Sequence, residues 1–119
     1  MKAKAISWVG TRTERWLETA EFLERQLGLR REREDGGVVV LALPNGDTVE
    51  VFRADEPEHQ HFTTGPVVGF LVDDVDEASR QLEGAGIELI GTVGHGGGMA
   101  WAHFRGPDGN VWEITSRDR

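Results

Sequence analysis

Two carboxylates and one histidine are the residues whose spacing indicates chemistry. The segments Pro44–Val51 and Pro107–Ile114 match position by position, and they lie 63 residues apart, from 44 to 107. Each copy has a turn glycine with a glutamate four residues later, so Glu50 and Glu113 take the same place in the strand that follows. A carboxylate in such a position can bind a metal ion or move a proton. The sequence therefore predicts one equivalent acidic position in each half of the chain.

The hairpin that precedes Glu113 adds a histidine to this group. Proline and Asp-Gly predict a tight turn over residues 106–110, and a loop of five residues sets Arg105 opposite Val111. The same register sets His103 opposite Glu113, where directly opposed side chains can touch. The pair is interpreted either as an acid–base pair or as a structural hydrogen-bonded pair. The structural alternative is favoured, because no nucleophile or oxyanion donor can be assigned beside it.

Strand alternation predicts which side chains share a face with the two glutamates. Side chains point alternately to the two faces of a sheet, so Trp112 and Ile114 belong under the helices, with Val49 and Val51. The glutamate face then carries Trp8, Phe52, Val67, Trp101 and His103. A mostly apolar surface with few polar groups is the usual form of a small-molecule site. The two tryptophans either stack on a flat ligand or only fill space.

The elements that must position these residues also occur twice. The first half has a strand over 3–10, an amphipathic helix over 14–27, and three strands over 29–34, 38–43 and 48–53. Thr13 is the expected cap of that helix and Gly28 its end. In the second half, a strand over 66–72 precedes a helix that Asp74 caps, with Glu77 three residues on. Each half is thus predicted to be one strand, one helix and three strands, with the polar segment 54–65 as the connection.

Length, charge and composition narrow the class of protein. The chain has 119 residues and 38% hydrophobic content, which fits one domain. Its 21 acidic and 13 basic residues give a net charge of −8, which argues against nucleic acid and anionic membrane surfaces as partners. It has no cysteine and no apolar run typical of a signal or a membrane span. The expected location is the cytoplasm.

Three motifs together resemble the vicinal oxygen chelate superfamily, which contains glyoxalase, bleomycin resistance proteins and extradiol dioxygenases. They are Phe22-x-x-x-x-Leu27-Gly28-Leu29, Gly69–Asp76 and Trp101–Ile114. The resemblance covers nearly the whole chain. It implies a single α+β domain, 1–119, in which two βαβββ modules of about 1–54 and 65–119 form a cup-shaped, curled mixed sheet with the helices outside. It also implies a homodimer with a small-molecule ligand inside the cup.

The same resemblance implies four positions for metal ligands, and they fall on Trp8, Glu50, Val67 and Glu113. Metal-dependent members carry His or Gln at the two places where this chain has an indole and an isopropyl group, and neither group coordinates a divalent cation. No cofactor is therefore expected, with Glu50 and Glu113 as weak candidates for a divalent metal. The histidines at 59, 61 and 95 either replace the missing ligands or are solvated loop residues, and the latter is favoured. The glycines at 96–98 are expected to give mobility to the rim of the cup.

Two classes of function remain open after these steps. The first is a binding protein without the usual metal, which takes an aromatic or amphipathic ligand on Trp8, Glu50, Phe52, Val67, Trp101, His103 and Glu113. The second is a metal-dependent lyase, isomerase or dioxygenase, with Glu113, Glu50 and His103 as candidate catalytic residues. The absent metal ligands favour the first class. The retention of two carboxylates, which are costly to bury, favours the second.

Overall fold

The computed structural model describes residues 1–118, and the last residue of the predicted second module lies outside this range. Contacts between Cα atoms divide the chain into two compact units. The first unit is Trp8–Pro66, and the second comprises Met1–Ser7 together with the chain from Val67 onward. The division into modules of about 1–54 and 65–119 remains a prediction from the sequence.

The first unit holds one helix and four paired strands. Its elements are β1 (Ala5–Thr13, whose residues from Trp8 onward lie in this unit), α1 (Trp16–Leu27), β2 (Arg30–Asp35), β3 (Val38–Ala42) and β4 (Thr48–Arg53), followed by a 3₁₀ turn at Pro57–His59. The strands lie in the order β2-β3-β4-β1, with β1 parallel to β4 and the other pairs antiparallel.

The second unit repeats this arrangement. Its elements are β5 (Val67–Leu71), α2 (Val75–Gly84), β6 (Leu89–Gly96), β7 (Met99–Arg105) and β8 (Val111–Arg117). The strands lie in the order β5-β8-β7-β6, with β5 parallel to β8 and the other pairs antiparallel. The predicted α+β fold class, built from two βαβββ modules, is confirmed.

Each unit has its own apolar core between its helix and one face of its strands. In the first unit, Ala20 of α1 packs on Val39, Leu41 and Val51. In the second unit the core consists of Val72, Val75, Ala78, Ala100, Ala102 and Ile114. Trp112 lies on the same face as Ile114, but it is half-buried and stacks on Phe70 with 5.9 Å between the ring centroids. Trp112 therefore packs beside the core. The sequence predicted a position beneath the helices.

The two helices begin differently. Asp74 accepts a hydrogen bond from the backbone N–H of Glu77, so the predicted cap of α2 is confirmed. The predicted cap of α1 is wrong, because the N-cap position belongs to Arg15, which makes no capping bond. Thr13 instead accepts from the N–H of Arg15, which tightens the turn before the helix. At the other end Gly28 adopts the left-handed φ of 76° that stops α1.

The turn glycines show the repeat most directly. Gly46 donates its N–H to Leu43, and Gly109 donates to Gly106, the equivalent residue 63 positions on. Both glycines have positive φ, at 90° and 81°. The glycines at 97 and 98, expected to give mobility, form a two-residue turn with positive φ at both positions, which is the geometry of a tight β-hairpin.

Neither helix in residues 1–118 is both long and apolar enough to cross a membrane.

Candidate functional site

The strand register shows which positions of the two units are equivalent. In the first unit Gly10 of β1 pairs with Glu50 of β4. In the second unit Gly69 of β5 pairs with Glu113 of β8. Trp8 and Val67 each come two residues before the paired glycine, so they occupy equivalent positions on the same strand face as the glutamates. Trp8 and Val67 are thus equivalent in the two units, and their assignment as replaced metal ligands stays a prediction.

The polar centre of the second unit is a buried pair. His103 lies opposite Glu113 in the register of β7 and β8, as the hairpin length predicts. The distance between His103 Nε2 and Glu113 Oε1 is 2.9 Å, and the two side chains are only 8% and 5% exposed. Burial lowers the pKa of His103 to about 4 and raises the pKa of Glu113 to about 8, because desolvation disfavours both charged forms.

These pKa shifts decide the form of the pair at neutral pH. Glu113 keeps its proton and His103 is neutral, so the carboxyl O–H donates to Nε2. The pair carries no net charge, which is the inexpensive state for two buried ionisable groups. A carboxyl group in this state can hold or transfer one proton, and it would have to lose that proton to bind a cation.

Trp101 lies two residues before His103 on the same strand face, and its position depends on glycines of β6. A Cβ atom at Gly94 would overlap the indole ring, and one at Gly96 would come within 3.3 Å of it. These glycines therefore leave the space that the ring fills, a role that the sequence analysis missed. Trp8 uses the same arrangement in the first unit, since a Cβ at Gly10 would overlap its ring. Two sequence patterns could have predicted these contacts: a glycine two residues after a tryptophan in the same strand, and a glycine opposite a tryptophan in a hairpin.

Aromatic rings form a cluster on the glutamate face of the first unit. The centroid of Trp8 lies 6.4 Å from that of Phe52 and 6.2 Å from that of Phe62. His59 stacks on Phe52 with 3.7 Å between centroids and 16° between planes. Phe52 is only 1% exposed as a result. Rings of the chain itself thus cover Phe52 in this structure, and its contact with a ligand stays a prediction.

The other predicted residues of this face differ in exposure. Glu50 is half-buried on β4 and lies opposite Val40 of β3. Val67 is 1% exposed, so its side chain offers almost no surface to a ligand in this structure. Trp8 and Trp101 are half-buried and keep part of their indole surface accessible.

The histidines outside β7 have structural partners. His59 Nδ1 lies 2.5 Å from Glu56 Oε2, and both side chains are largely buried, so the solvated-loop interpretation is wrong for His59. His95 belongs to β6 and not to a loop, and its Nδ1 lies 2.9 Å from Asp118 Oδ2. The ring of His61 packs edge-on against Phe62. Within residues 1–118, no three His, Asp or Glu side chains come together in a way that could hold a metal ion.

Comparison with known proteins agrees with this architecture. Residues 5–114 match the family model of the Glyoxalase/Bleomycin resistance protein/Dioxygenase superfamily, and the chain belongs to that superfamily. Comparison with curated protein sequences gives no significant match.

Solved structures share the fold at low sequence identity. One is the methylmalonyl-CoA epimerase from Mycobacterium tuberculosis, with a TM-score of 0.75 and 18% identity over 98% of this chain and 90% of that one. Another is a glyoxalase/bleomycin resistance protein/dioxygenase superfamily member from Vibrio splendidus, with a TM-score of 0.67 and 15% identity over 97% and 99%. At this identity the likeness establishes the fold alone.

Proposed function

We propose that this protein binds an aromatic or amphipathic small molecule without the metal ion of metal-dependent members of its superfamily. The observation that carries the proposal is the equivalence of Trp8 and Val67 within the two modules. Both occupy the β1 and β5 positions where metal ligands are expected, and neither side chain can donate an electron pair to a cation.

The donor set of each unit supports this proposal. The first unit offers only Glu50 from the expected pair of positions, and the second offers only Glu113. Glu113 is already hydrogen-bonded to His103 and protonated at neutral pH, which further disfavours cation binding. The residues present do not fit a divalent metal, and no reaction step is assigned to one.

Binding of a small molecule fits the surface that each unit presents. In the second unit the half-buried indole of Trp101 lies beside a neutral pair that can hydrogen-bond. In the first unit the half-buried Trp8 shares its face with Glu50. Apolar surface with few polar groups gives affinity from area and orientation from hydrogen bonds. The proposed contacts are Trp8 and Glu50 on the first unit, and Trp101, His103 and Glu113 on the second.

A second candidate is an enzyme, as lyase, isomerase or dioxygenase. The observation in its favour is the buried Glu113, since an apolar face that binds only by area has no need of a desolvated carboxyl group. A carboxyl with a raised pKa beside an imidazole is suited to proton transfer near neutral pH. In this candidate the Glu113 carboxyl moves a proton, with His103 as its hydrogen-bonded partner.

A screen of aromatic fragments by ligand-observed NMR tests the proposal, with samples in EDTA and in excess Zn²⁺. We expect hits of equal affinity in both, and a loss of severalfold to tenfold in Trp101→Ala, because an aromatic contact adds about 0.5–1.5 kcal/mol beyond area burial. Trp112→Ala is the control, because that ring lies on the opposite face of β8. Hits that require the metal would favour the enzyme.

We further propose that the protein is a homodimer, because one chain of this size is short for a deep ligand site of its own. Sedimentation at micromolar concentration should give twice the monomer mass of 13.2 kDa. A single species at the monomer mass would remove this part of the proposal. The cytoplasmic location stays a prediction from composition.

A further inference from the structure

The connection between the two modules, residues 54–65, is folded onto the aromatic face of the first unit. Arg12, near the end of β1, makes hydrogen bonds to two residues of this connection, Ala54 and Phe62. Its Nη1 donates to the carbonyl of Ala54 at 2.7 Å, and its Nε donates to the carbonyl of Phe62 at 3.0 Å. One half-buried guanidinium thus closes nine residues into a loop, and its planar set of N–H donors matches two separate acceptors.

Polar bonds inside the connection give it a defined shape. Gln60 donates to the carbonyls of Ala54 and Glu56, both at 2.8 Å. Glu56 accepts from the N–H of Glu58 with one oxygen and pairs with His59 through the other. Most of the outward side chains are exposed and polar. A compact loop of this kind is an Ω-loop, a form that is frequently functional.

Two rings of the connection cover the face beneath. His59 stacks on Phe52, and Phe62 contacts Phe52 edge-on at 5.7 Å between centroids. The His59 ring therefore occupies the position that a flat ligand would take on Phe52. Its Nδ1 lies 2.5 Å from the Glu56 carboxylate. The surface that His59 covers thus accepts a planar aromatic ring, whereas the Glu56 carboxylate belongs to the connection itself.

We infer that residues 54–65 form a lid latched by Arg12, and that a planar aromatic ring replaces His59 on Phe52 when this lid opens. The inference rests on the proposed function, since it adds a second site for an aromatic ring to the ligand surface around Trp8. Opening of the connection would control access to this site. Few apolar side chains hold the connection down, so its opening costs less free energy than unfolding of the strands. Loss of the two Arg12 bonds removes the main polar attachment at its base.

Hydrogen exchange followed by NMR tests the lid without any ligand. Glu56, Glu58 and Phe62 have hydrogen-bonded N–H groups inside the connection. We expect these amides to exchange at least tenfold faster in Arg12→Gln than in the wild type, with the amides of Val39 and Val51 in the core unchanged. Arg15→Gln is the matched control, because Arg15 is exposed and pairs only with Glu18 among the contacts that the structure shows for its side chain.

Exchange of the connection together with the core strands, at the same rate in wild type and Arg12→Gln, would overturn the lid. A uniform rise at all amides in Arg12→Gln would also overturn it, since that pattern means that Arg12 stabilises the whole unit and not one segment.

Benzimidazole is the probe for the ring site. We expect it to shift the His59 ring resonances of the wild type on binding, to bind at least fivefold tighter to Arg12→Gln, and to lose binding in Phe52→Leu. The gain in affinity follows because a binding-competent state that is seldom populated weakens the apparent affinity by its population. Benzimidazole that leaves His59 unperturbed, or that binds Phe52→Leu as well as wild type, overturns the ring exchange.

The two proposals fail in distinguishable ways. Aromatic fragments that need Trp101 but are indifferent to Arg12→Gln and Phe52→Leu would overturn the lid and leave the proposed function standing. Fast exchange of the connection in Arg12→Gln, with no aromatic fragment bound by any variant, would retain the opening motion and overturn both the ring site and the proposed function.

Discussion

His103 and Glu113 share one proton in a buried hydrogen bond. The sequence predicts one property of this pair but not another. Their contact follows from the length of one hairpin, so it could be predicted from the turn residues. Their neutrality could not, because it depends on how completely the rest of the unit removes water from them. The seating of Trp101 over Gly94 was missed for a related reason, since a glycine in a strand does not reveal which ring approaches it.

The pair makes the free energy of unfolding depend on pH. Glu113 has a raised pKa, so its contribution is full at low pH and is lost as the pH rises to about 8. His103 has a lowered pKa, so its contribution is full at high pH and is lost as the pH falls to about 4. In the unfolded chain the two groups have their ordinary pKa values, about 4.5 for Glu113 and 6.5 for His103. Between these pH values the effects of the two groups on the unfolding free energy cancel, because the pair holds one proton in both the folded and the unfolded chain.

We therefore expect the free energy of unfolding to fall by roughly 1 kcal/mol from pH 6.5 to pH 8, where the Glu113 contribution outweighs that of His103. Urea denaturation across this range measures it. Glu113→Gln should remove the fall, since its amide can still donate to His103 but does not titrate. An equal fall in the variant would show that other groups cause it.

The fit of Trp101 against β6 makes a second prediction at this scale. Gly94→Ala should cost roughly 1–3 kcal/mol of stability, because its Cβ overlaps the indole and the ring must move. Gly96→Ala should cost less, since its Cβ would stop 3.3 Å from the ring. Chemical denaturation of both variants, and of Gly94→Ala combined with Trp101→Ala, measures the coupling. If the combined variant shows no coupling, the ring does not lie over Gly94.

At the scale of elements, periodicity and turn residues predicted the number and order of helices and strands in each module. Where bounds were predicted, the observed ends differ by at most three residues. The strand Thr48–Arg53 was predicted to the residue, because the Pro-Asn-Gly turn fixes its start. The start of α1 was placed two residues early, since Thr13 bonds inside the turn and not at the cap. The connection 54–65 has no period, so its fold around Arg12 could not be predicted from the sequence.

The N-terminal cap of α2 gives the prediction at the scale of elements. Asp74→Ala should lower the free energy of unfolding by about 1 kcal/mol, because it leaves the N–H of Glu77 without its capping oxygen. Asp76→Ala is the charge-matched control, since Asp76 lies in the first turn of α2 but does not cap it. Urea denaturation compares the two. Equal losses would mean that the charge near the helix start, and not the cap, is what stabilises α2.

At the scale of the whole molecule, the chain keeps the fold of its superfamily, and Trp8 and Val67 stand where the resemblance implies metal ligands. The repeat of 63 residues between the turns was visible in the sequence, and the strand register bears it out in both units. The exposure of the predicted ligand contacts could not be predicted from the sequence. Trp8 and Trp101 are half-buried, whereas Phe52 and Val67 are fully covered. Fold is thus set by local pattern, whereas access depends on side chains that are distant in sequence.

The melting temperature in the presence of divalent cations tests the central claim most directly. A cation that binds only the folded state must raise the free energy of unfolding by RT ln(1 + [L]/Kd). Because Trp8 and Val67 replace the expected ligands, we predict that Ni²⁺, Zn²⁺ and Mn²⁺ leave the melting temperature unchanged. A saturable rise that is abolished in both Glu50→Gln and Glu113→Gln would contradict this account and identify the protein as a metal-binding member of its superfamily.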